Sequence, residues 1–152
     1  MRYLKLIGTV LIVGLYCTSF ALPVLSDPRD PNATTYGASV FVASFGLLFH
    51  LPEWQPGWLA NPWLWIGVYL LQREKWISAS FLGLVGLILG IQIGQWANGR
   101  GECGAVLGLD IGHYVWLASF GMLVLAGLVG CLAKAIMQRS SVREENPQAT
   151  ET

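Results

Sequence analysis

WISASFLGLVGLILGIQIGQW, residues 76–96, decides the fold. The stretch carries no charge and is long enough for a helix to cross a hydrocarbon core, which takes about 20 apolar residues. A tryptophan closes each end, at the depth where aromatic side chains sit in a bilayer. Two further stretches read the same way. Residues 6–25 are uncharged, and residues 114–137 are apolar up to Lys134. The whole chain agrees with them: of 152 residues 54% are hydrophobic and only 12% charged, about half the charge of a soluble domain. With Lys and Arg balanced by Asp and Glu, no basic surface exists to displace counterions from a phosphate backbone, which excludes a nucleic-acid binder. The sequence predicts an integral, all-α membrane protein.

Residues 38–71 hold two shorter apolar runs, 38–51 and 57–71, split by Pro52-Glu53-Trp54-Gln55-Pro56. Charge decides between them, because loops rich in Lys and Arg stay cytoplasmic. If only the second run crosses, Arg2, Lys5, Arg73, Lys75, Lys134, Arg139 and Arg143 share the inner side and only Arg29 and Arg100 lie outside. If both cross, Arg73, Lys75 and the basic C-terminal flank move outward. The prediction is four spans (about 6–25, 57–72, 76–96 and 114–137) with both termini in the cytoplasm and 38–51 as a short helix on the outer face. Asn61-Pro62 resembles a cap followed by proline at a helix start. We expect the second span to begin near 54–58, with Pro62 as a kink. Residues 1–137 form one domain, and the polar tail 138–152 is predicted to be disordered. A cleaved signal peptide ending at Ser19-Phe20-Ala21 is the alternative for the N-terminus.

The first outer loop, 26–35, is rich in Pro and Asp and reads as an irregular, turn-forming connection; its Asn32-Ala33-Thr34 triplet matches a glycosylation sequon. Asn98-Gly99 is a hairpin signal and predicts a small hairpin over 97–112 on the outer surface.

Small residues define the packing faces. Ala79, Gly83, Gly86, Gly90 and Gly94 share one side of the third span, and Gly112, Ser119, Ala126, Gly130 and Ala133 offer a matching stripe on the fourth. Glycine four apart lets another backbone approach closely. The expectation is that these stripes meet within one subunit; a seam with a second copy or another membrane protein is the alternative.

Groups capable of chemistry are sparse. The four spans contain no Asp or Glu, whereas proton relays and ion-coupled carriers place ionisable groups at depth. Cys17, Cys103 and Cys131 form no Cys-x-x-Cys pair, which excludes the quinone-linked thiol oxidases of four-helix type. No metal, cofactor or catalytic set is predicted. His50, Glu53, Gln92, Gln95 and His113 all fall toward the outer side, and a polar pocket there is the one candidate site.

Trp58-Leu59-Ala60-Asn61-Pro62 and Tyr114-Val115-Trp116-Leu117-Ala118-Ser119 resemble motifs of small bacterial inner-membrane proteins, with a basic turn after the second span. The resemblance covers about 58–125 and implies a bacterial four-helix membrane protein, but no activity. The expected function is that of an auxiliary or interaction protein, its partners the lipid bilayer and another membrane protein or a second copy. The alternative is handling of a small molecule or lipid through the outer polar pocket.

Overall fold

The computed structural model describes residues 2–27, 30–38, 60–99 and 108–145. These contain helices α1 (Arg2–Ala21), α2 (Ala60–Gln72), α3 (Trp76–Gly99) and α4 (Ile111–Glu145), and strands β1 (Pro23–Asp27), β2 (Asp30–Tyr36) and β3 (Gly108–Leu109). The predicted outer helix over 38–51 lies outside the described residues except for its first position.

Close approaches fix the direction of each helix. Gly8 of α1 lies against Ala126 of α4, while Gly112 at the other end of α4 lies against Leu22 and Pro23 just past α1. Those two helices are therefore antiparallel. Gly90 and Gly83 of α3 meet Leu117 and Val124 of α4 in reverse order, so that pair is antiparallel too. Lys5 of α1 reaches Gln72 and Glu74 at the end of α2, and Tyr16 reaches Asn61 at its beginning. The four helices thus run alternately up and down, with α4 packed on both α1 and α3, and α2 along α3. Arg2, Lys5, Arg73, Lys75, Lys134 and Arg139 consequently gather at one end of the bundle. The core between the helices is built from Ile12, Tyr16, Leu64, Leu71, Trp76, Ala79, Phe120 and Leu123.

The other end carries a sheet of order β2-β1-β3, antiparallel throughout. This corrects the expectation of an irregular connection over 26–35 and the placing of a hairpin turn at Asn98-Gly99. The connection expected to be irregular forms a hairpin, with Leu25 paired to Thr35 and Ser26 to Thr34. Its prolines fit the pattern that proline tolerates in sheets: Pro23 opens β1, and Pro31 lies on β2, an edge strand. Asn98-Gly99 does not turn a hairpin, because α3 runs through it. β3 pairs instead with β1, Leu109 opposite Leu25.

Helix boundaries shift for local reasons. α1 ends at Ala21 rather than at 25, since Pro23 cannot continue a helix. Pro62 is no kink within the described part of α2: it is the third residue of Ala60–Gln72, in the first turn, where a missing N–H leaves no helical bond unmade. α4 overruns the predicted disordered tail as far as Glu145. Residues 138–145 contain neither Gly nor Pro, and Pro147 is the first breaker. Ser140 Oγ also donates to the carbonyls of Ile136 and Met137, at 3.1 and 3.0 Å.

Two helical stretches, Arg2–Ala21 and Ile111–Ser140, are long and apolar enough to cross a membrane; Trp76–Gln92 is apolar and shorter. Large apolar side chains face outward on all four helices: Leu6, Ile7 and Val10 on α1, Trp65, Ile66 and Tyr69 on α2, Ile77, Phe81, Leu84 and Ile88 on α3, Leu125, Leu128, Leu132 and Ile136 on α4. Soluble monomers rarely present so much contiguous apolar surface.

Candidate functional site

The glycines of α3 receive large side chains. A β-carbon on Gly86 would enter the Phe120 ring, and one on Gly90 would enter Leu117 and Trp116. Gly83 lies against Val124 and the Phe120 carbonyl, 3.0 and 3.1 Å from where its β-carbon would stand. Ala79 is fully buried; the surroundings of Gly94 lie outside the described side chains. The α4 stripe divides between neighbours. Ala126 faces Gly8 of α1, Gly130 takes the Trp76 ring, and Ser119 is buried and donates to the Trp116 carbonyl at 2.6 Å. The α3 glycines thus pack on α4 within the chain, against its large side chains, while the α4 stripe divides between Gly8 of α1 and Trp76 of α3. Between α3 and α4 the closest approach to backbone falls at Gly127, whose β-carbon would stand 2.7 Å from the Trp76 carbonyl oxygen and 2.9 Å from the Ser80 nitrogen. Ser80 Oγ adds a bond to the Val124 carbonyl at 3.1 Å.

Toward the sheet end a polar node ties three helices. Asn61 Oδ1 accepts from Tyr16 Oη at 3.2 Å and from Trp116 Nε1 at 3.0 Å. Aromatic rings enclose it: Tyr16 meets Phe20 and Trp65 edge-on, and Trp116 meets Phe120 edge-on. Asparagine fits because one carbonyl oxygen has two lone pairs, enough for both donors. Asn61 reads in the sequence only as a helix cap, and the donors that seek it lie 45 and 55 residues away.

The residues of the predicted outer pocket are placed as follows. His50 and Glu53 lie outside the described residues, as does the side chain of Gln95. Gln92 is exposed, whereas His113 is buried at 4% exposure against Trp116, ring centres 5.7 Å apart. Among the described residues Gln92 and His113 therefore share an end of the bundle, one exposed and the other buried. Among the described residues no three His, Cys, Asp or Glu side chains gather as metal ligands. Cys17 is a free, exposed thiol and Cys131 a free, half-buried one; Cys103 lies outside the description.

At the basic end, α2 stops in a Schellman turn. The Lys75 N–H reaches back to the Leu70 carbonyl and the Glu74 N–H to the Leu71 carbonyl, 3.0 and 3.1 Å. Glu74 occupies the position that favours glycine, with φ 59°. Its carboxylate takes a 2.7 Å bond from Lys5 Nζ, and that bond and charge hold the Glu74 carboxyl below its usual range. Stability from the pair is present above the ordinary carboxylate pKa and fades as pH falls through the lowered value. The pair is exposed, so its worth is small, while left-handed backbone is costly for any residue with a β-carbon. Glu74→Gly is therefore expected to raise the melting temperature slightly at neutral pH and Glu74→Gln to lower it slightly. A fall with glycine in thermal unfolding would give the ion pair the larger share.

Beside this turn a cleft of about 360 Å³ opens between the first turn of α3 and α4, lined in part by Lys75, Trp76, Ser78, Cys131, Lys134 and Gln138. The sequence reading used Lys75 and Lys134 only for orientation; the pairing of Trp76 with Gly130 that brings them together is a tertiary contact.

Comparison with protein families, curated proteins and solved structures finds no match.

Proposed function

We propose that the chain is a four-span protein of a bacterial inner membrane, both termini cytoplasmic, that serves as an auxiliary or interaction protein. The observation that carries this reading is the outward apolar surface on all four helices, lying between an end rich in Lys and Arg and an end covered by a small sheet. α2 is the shortest span, at about 20 Å over its described residues. The buried polar side chains of the described bundle are neutral or weakly basic groups, Ser19, His113 and Ser119. They favour a packing role over ion translocation, which needs charge at depth.

Orientation is tested by a reporter fused after Thr152, which is expected to read as cytoplasmic; a periplasmic reading overturns the arrangement. The interaction role is tested by purification from native membranes in mild detergent. A stoichiometric membrane-protein partner is expected, and recovery as a monomer carrying only lipid would favour lipid handling instead.

A further inference from the structure

We draw no further inference here: the strongest candidate, the outward apolar patch that Leu6, Ile7 and Val10 present on α1 and Trp65, Ile66 and Tyr69 on α2, belongs to the surface already read as facing lipid, and nothing in the structure shows what else covers it.

Discussion

Gly127→Ala is expected to destabilise the bundle by about 2–3 kcal/mol, and Gly127→Leu to prevent α3 and α4 from packing at all. The reason is what the new atom meets. A β-carbon at 127 would stand 2.7 Å from the Trp76 carbonyl oxygen and 2.9 Å from the Ser80 nitrogen. Both are backbone atoms of α3, which cannot rotate away as a side chain can. Gly86 and Gly90 differ in kind, for they oppose the ends of Phe120, Leu117 and Trp116. Alanine at either is expected to cost less than alanine at Gly127, because rings and branched termini can shift. Gly121 is the control: nothing lies within 4 Å of its β-carbon position. Gly121→Ala should be neutral or gain about 0.5–1 kcal/mol through helix propensity. Thermal unfolding in detergent across the four alanine variants checks the order. Equal values at 121 and 127 would mean that α3 and α4 do not cross at Gly127.

That crossing point also marks the limit of the sequence reading. Hydrophobic length and basic flanks are properties of a segment by itself, and from them the α3 stretch follows nearly residue for residue, as does the gathering of cations at one end. Which glycine touches which helix depends on rotation about each axis. The α4 stripe chosen by spacing, with Ala126 and Gly130, misses Gly127 between them, because α4 serves two neighbours and turns Ala126 toward α1. The sheet was missed for a related reason. β1 gains its second partner from Gly108 and Leu109, more than 80 positions along the chain, and a two-residue strand has no pattern of its own. The hairpin signal at Asn98-Gly99 was a correct local preference overridden by continuation of α3. At the candidate cleft, the lysines were visible and their grouping with Trp76 was not.

Asn61→Leu is expected to cost about 2–4 kcal/mol, since it leaves two buried-side donors without an acceptor, at about 1–3 kcal/mol for each group orphaned. Leucine keeps the branched shape and is bulkier, so no cavity opens, and the coupling to Tyr16 rather than the total loss measures hydrogen bonding. Tyr16 stands 2% exposed between Phe20 and Trp65, with little room to reach an alternative acceptor. The pairwise origin can be isolated. Tyr16→Phe in the wild-type background removes one good bond and should cost about 1 kcal/mol. In the Asn61→Leu background the same change removes a hydroxyl whose proton has lost its acceptor, and should cost less than in the wild type or restore stability. Trp116→Phe behaves alike in sign but adds a packing loss, because the indole also rests on Phe120 and over Gly90. Additive effects of Tyr16→Phe and Asn61→Leu would show that the two side chains do not share a bond. Strong coupling with an unchanged oligomeric state would mean that the node joins α1, α2 and α4 inside one chain, which is what lets a helix as short as α2 hold its register in the bundle.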